Sequence, residues 1–322
     1  MSPDLVSVTL RAAGFVALFQ AAGIAFFLVI FGDRLIHAGV GIRRLGLAAA
    51  SGGILLVLTH QAFEAARMAD DFSGLFDTDL QRLALFSTGG AAHLMQALGL
   101  ALVALGLRRP KRFGSFITIA GATLAIVAFT ITGHTSVHVM RWLLAPLLMV
   151  HLAIVAFWFG ALAPLFMISK REVLNDASWI VNRFSAVATW LVPCIVLAGL
   201  AMALILAPDL SVLRRPYGQL LMVKLLGFIL LMILAAFNKW RLTSMFAAGR
   251  VASGSALRRS IAIEYALIVI LLSVTAALTA FFSPEGVTSV TASGTMPSSS
   301  QRVTTAETIT PAELRWSSER EI

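Results

Sequence analysis

Five of the six histidines in this 322-residue chain stand inside or beside apolar runs: His60, His93, His134, His138 and His151. His134 and His138 are spaced i, i+4 in the stretch GHTSVHVMRW, which puts two imidazoles on one helical face. His60 and Glu64 repeat that spacing, so the carboxylate has two equal readings: an acceptor that fixes a histidine tautomer, or an interfacial acid with no particular partner. Met95 follows His93 by two residues and Met149 precedes His151 by two. Residues i, i+2 do not share a helical face, so these thioethers serve another surface or an access route rather than the same ligand set. Imidazole and thioether together form a donor set that suits copper, with Cu(I) favouring the softer members. Cys194 is the single cysteine, which rules out an internal disulfide and a cysteine-rich zinc motif. Taken singly, each histidine also fits a bond to a backbone carbonyl, and each methionine fits a gap in a core. Five histidines in one layer carry more weight, because polar side chains in a bilayer are costly and mark sites or pathways.

The elements that must position these residues are membrane helices. The chain is 58% hydrophobic and 13% charged, against about 25% charge in a soluble domain. Apolar runs long enough to cross a bilayer recur at about 12–32, 45–66, 86–106, 114–134, 142–166, 186–206, 218–237 and 261–281. None alternates with period two, so the expected fold class is an all-α integral membrane protein, a bundle of eight transmembrane helices. Residues 1–282 form that domain, and the Ser/Thr-rich segment 283–322 reads as a disordered outer tail. The first run lacks a cleavable signal pattern and reads as a retained span. Net charge is +9, but the basic residues are scattered through short connections, which argues against nucleic acid. Connections after the odd-numbered spans hold fifteen Lys and Arg, among them Arg43, Arg108, Lys170 and Lys239, and the other side holds nine. The positive-inside rule then places both termini on the outer side of the membrane. At about 1.5 Å of rise per residue, His60, His93 and His151 lie roughly 9, 10 and 13 Å below the outer surface. His134 and His138 stand at the rim, and only His37 falls on the inner side. Lys224, six residues into span seven, is an isolated charge with three readings: it snorkels outward, pairs with Glu64, or meets an anionic cofactor group.

The second half of the chain resembles the copper resistance protein D family of bacterial inner-membrane proteins. The stretches that carry the resemblance are GH at 133–134, HLAIVAFWFGALAPLF at 151–166, NRFSAVATWLVPCIVLAGLAMA at 182–203 and PYGQLLMVKLLGFILLMILAAFNKWRL at 216–242. They match a His–Trp–Gly span, an RFS-led span with an internal glycine, and a span from YG through Lys to a terminal Asn and basic residues. The likeness is strongest over 133–282 and covers the first four spans mainly by topology. Ser244 departs from it, standing where a proline is expected after RLT.

The resemblance implies a protein of copper uptake or resistance that works with a separate periplasmic CopC-like copper-binding protein. Copper ion is then the expected ligand and transport the expected activity, without enzymatic chemistry. The metal ligands would be His60, His93, His134 and His151, with His138 ranked below them and Met95, Met149 and Glu64 secondary. A second reading takes the same histidines as axial ligands of haem b in an electron-transfer protein or oxidoreductase, with Lys224 or Arg141 near a propionate.

Overall fold

A computed structural model describes residues 2–206, 216–247 and 253–281. The expected tail at 283–322 lies outside the described residues. Eight helices are long and apolar enough to cross a membrane, and no strand occurs among the described residues. The long helices are α1 (Pro3–Phe31), α2 (Gly39–Ala69), α4 (Thr88–Leu107), α5 (Lys111–Val127), α7 (Arg141–Arg171), α8 (Leu174–Leu206), α9 (Pro216–Phe237) and α11 (Ser253–Phe281). Between them lie three short helices, α3 (Thr78–Leu85), α6 (His134–Val137) and α10 (Ser244–Ala247).

Local signals set the helix ends. Ser2 caps α1 through its side chain, with Pro3 in the first turn, where a missing N–H costs nothing. Asp77 and Ser87 cap α3 and α4 in the same way. In the connection after α2, the Ser73 hydroxyl and backbone N–H hold the Asp71 carboxyl below the usual carboxylate range. At the opposite end of the bundle, Glu172 accepts from the backbone N–H groups of His37 and Ala38 at 2.9 and 2.7 Å. The Arg34 guanidinium lies 4.2 Å over the Trp179 ring beside them.

The helices run past the apolar windows that reveal them in the sequence. The first begins at Pro3 rather than near residue 12, because Ser7 and Arg11 interrupt the apolar run yet find partners inside the bundle. The fourth closes in a 3₁₀ turn, Ala128–Ile131, so His134 opens the separate turn α6 instead of ending the span. Gly133, with φ +76°, makes the break.

α1 is the axis of the bundle, packing on α2, α4, α5, α7 and α11. Its middle reads Gln20-Ala21-Ala22-Gly23-Ile24-Ala25, and every one of these residues is buried. Small residues let backbones approach closely, which drives helix association in a membrane. A Cβ on Gly23 would run into the Ala156 carbonyl and stand 2.6 Å from Gly160 Cα, so α1 and α7 cross at a glycine–glycine contact. Gln20 Nε2 donates to Gly160 O at 3.1 Å beside it. Gly99 with Gly121 and Gly106 with Gly114 join α4 to α5 by the same means. At the other extreme, 6% of the apolar window of α9 and 11% of that of α8 are buried, against 61% for the first span. Those two helices present Trp190, Leu197, Leu226 and Ile229 outward to lipid.

Replacing Gly23 by Ala should therefore destabilise the bundle by about 1–3 kcal/mol, read as a lower melting temperature of the purified protein. Gly52, which has nothing within 4 Å of a built Cβ, is the control. Gly52→Ala should be neutral or stabilising by up to about 1 kcal/mol.

Candidate functional site

His60 projects from α2 into the contact with α1 and α4 and is 3% exposed. Its Nε2 lies 3.0 Å from Ser7 Oγ on α1, and its Nδ1 lies 3.0 Å from His93 Nε2 on α4. The two rings stand perpendicular, at 89°, with centroids 4.8 Å apart. His93 Nδ1 continues the chain to Gln61 Oε1 at 2.6 Å. Glu64 closes the other end, with Oε1 3.2 Å from His60 Nε2.

This carboxylate is itself held by cations. Arg67 Nη1 reaches both its oxygens, at 3.1 and 2.8 Å, and Arg11 stands 3.7 Å away. Arg67 Nε also donates to Asp4 Oδ1 at 3.2 Å, tying the start of α1 to the end of α2. The sequence option that paired Glu64 with Lys224 is corrected here: Glu64 takes Arg11, Arg67 and His60. Lys224 lies on α9 within electrostatic reach of His151.

Proton bookkeeping orients the chain. With Gln61 Oε1 accepting from His93, each ring accepts at the next nitrogen, and a bare His60 Nε2 faces the Glu64 carboxylate. That arrangement also leaves Gln61 Nε2 buried without a partner. Turning the Gln61 amide reverses every bond: Gln61 donates to His93, His93 to His60, and His60 Nε2–H to Glu64 and Ser7. The reversed direction uses the carboxylate as an acceptor and satisfies the amide donor, so it is the favoured polarity.

The remaining predicted residues lie elsewhere. His151, on α7, donates from Nδ1 to Ile195 O on α8 at 3.3 Å and faces Gly199. His138 accepts the Met140 backbone N–H at 3.0 Å through Nδ1, a local bond at the start of α7. His134 begins α6, and its side chain lies outside the described residues. Met95 is half-buried on α4, and Met149 is exposed on α7. Cys194 is exposed on α8. Among the described residues, no three His, Cys, Asp or Glu side chains converge into a ready metal cage. The layer of five thus separates into a bonded pair, His60–His93, and residues with other partners. That pair has its rings bonded directly to each other and leaves no space for a porphyrin between them.

Two polar sets escape sequence reasoning. Ser7, Arg11, Gln61 and Arg67 complete the histidine pair, and the one local signal for them is the charge of Arg11 inside an apolar run. Glu264 on α11 is 4% exposed and accepts from Asn238 Nδ2 and from the Trp158 indole. A carboxylate ten residues inside an apolar helix is a signal of the same kind.

The model of the copper resistance protein D-like N-terminal domain matches residues 1–139, and that of copper resistance protein D matches residues 179–278. The chain belongs to the copper resistance protein D family. No curated protein and no solved structure matches it. The N-terminal match extends the likeness over the first four spans, which the sequence motifs covered by topology alone. Membership makes this a multi-pass membrane protein of copper resistance. The histidine pair with Glu64 falls within the N-terminal match, and Asn238 and Glu264 fall within the other.

Removing either end of a bonded chain strands its neighbour, which costs about 1–3 kcal/mol in a buried setting. Gln61→Ala and His93→Ala should each lower the melting temperature. Their double variant should fall short of the sum by about 0.5–3 kcal/mol, measured as a double-mutant cycle on purified protein.

Proposed function

We propose that this copper resistance protein D family member takes copper up across the bacterial inner membrane, with His60 and His93 as its principal binding residues. The observation that supports this most is the buried, mutually bonded pair, backed by Glu64 and two arginines. Metal–imidazole bonds of about 2.0–2.1 Å span roughly 4 Å between two facing nitrogens. The nitrogens stand 3.0 Å apart, so copper would bind by parting the rings, with the shared proton passing to His93 Nδ1, where Gln61 Oε1 accepts it once the amide turns. Glu64 then faces the ligated ring as a carboxylate that holds its orientation.

In this reading both termini lie on the outer side, a placement supported by the excess of Lys and Arg in the odd-numbered connections. Copper arrives from a periplasmic CopC-like donor at the rim formed by His134 and His138. His151, with its own partners on α8, is a further station on the second half of the bundle. Met95 and Met149 line the approach rather than the pair.

The test is cellular copper accumulation, set beside the metal content and visible spectrum of the purified protein. His60→Ala with His93→Ala should reduce accumulation to the vector-control level and remove bound copper, while His138→Ala retains most of both. Wild-type accumulation in the double variant at normal protein levels would overturn the assignment. A stoichiometric Soret band lost in the same variant would give the histidines to haem b instead.

A further inference from the structure

The second half of the bundle holds a cavity of about 280 Å³ between α7, α8, α9 and α11. Its walls are mostly apolar, and its floor is Glu264 with Asn238 and Trp158. No histidine lines it, and Met232 is its one sulfur. The lining groups with a lone pair to offer a cation are oxygens, those of Glu264, Asn238, Ser185, Thr189 and Thr243, and the Lys239 ammonium and the Trp158 and Trp240 indoles line it beside them.

Three features make this floor more than a buried polar contact. Glu264 is 4% exposed and takes only neutral donors, the Asn238 amide and the Trp158 indole. It forms no ion pair among the described residues. Lys239 lines the same cavity, but its ammonium donates to Thr189 Oγ1 on α8 at 2.6 Å. Asn238 commits its Nδ2 to Glu264, and its Oδ1, buried in a residue 9% exposed, accepts nothing. Finally, the chain leaves α9 through a π-helical turn, Asn238–Thr243, which turns Asn238, Leu242 and Thr243 inward. Turns of this type interrupt the i→i−4 ladder and recur at functional sites.

We propose that this floor binds a monovalent alkali cation. An all-oxygen donor set suits a hard cation and not copper, which calls for imidazole or sulfur. Among the described residues, Glu264 is the one acidic side chain that lines the cavity, and Lys239 already brings a positive charge to it. A second charge on the bound ion would add to a positive excess within the membrane, so a monovalent ion is favoured over a divalent one. The unpartnered Asn238 oxygen gains the partner it lacks. A buried carboxylate beside a π turn joins two features that mark functional sites within membrane helices. The site is distinct from the histidine pair in ligand chemistry and in helices. Its role as a coupling site rests on the transport reading above; its capacity to bind a cation does not.

The experiment uses the full chain purified copper-free in lipid nanodiscs. Its melting temperature is titrated with NaCl and with KCl against choline chloride at matched ionic strength, and bound ²²Na⁺ or ⁸⁶Rb⁺ is counted. Wild type should gain a saturable stabilisation from Na⁺ or K⁺ beyond that of choline and retain about one ion per chain, as a single-charge site requires. Glu264→Gln should lose both signals, and Asn238→Asp should move the midpoint at least tenfold lower. His60→Ala should leave both signals unchanged, so failure here and failure of the copper assignment are separable. Identical melting curves in the three salts, with no retained ²²Na⁺ or ⁸⁶Rb⁺ on the wild-type protein, would overturn the proposal even if Glu264→Gln did not fold.

Discussion

A polar side chain carried into the bilayer has no water to fall back on and must be satisfied by the bundle itself. The position of α1 reflects that constraint. Ser7, Arg11 and Gln20 all sit on this helix, and each is answered by a different neighbour: His60, Glu64 and the Gly160 carbonyl. The answers work only because α1 lies against both α2 and α7. That placement in turn rests on the run of small residues around Gly23, which removes the side chains that would hold the backbones apart.

From this axis the molecule keeps two buried polar clusters apart. The helices before His134 hold the His60–His93 pair and the arginine-clamped Glu64, while the helices after Arg141 hold Glu264 with Asn238. The two family matches divide the chain in the same way. Packing respects the division. The histidine pair is enclosed by three helices, whereas the Glu264 cavity lies where α8 and α9 carry their apolar faces outward.

Much of this was readable from residue order. The span count, the His60–Glu64 spacing and the family motifs all rest on local periodicity, which a membrane helix obeys closely. The rest depends on which helices cross, and local periodicity is silent on that. His60 and His93 share a depth in the sequence, and so does His151, yet the first two touch and the third bonds Ile195 on α8. Gln61 neighbours His60 in sequence but serves His93, because α4 crosses α2 at that level. Glu264 lies in the N-terminal half of α11, away from the histidines, so a layer of histidines at one depth does not point to it. The π turn at Asn238 carries no composition signature, since Asn-Lys-Trp-Arg reads as an ordinary basic helix end.

That turn has a consequence for how the chain tolerates change in length. A π turn is in effect an α-helical turn holding one surplus residue. Losing one residue between Asn238 and Thr243 would let the segment relax to α geometry with the chain beyond it close to its present register, because a π turn spends one residue more than an α turn on the same rotation. α10 would keep the side with which it packs on α8. The same deletion a few residues earlier, in the regular part of α9, would instead rotate everything after it by about 100°. The turn is thus a place at this end of the molecule where the chain has a residue of slack in its length.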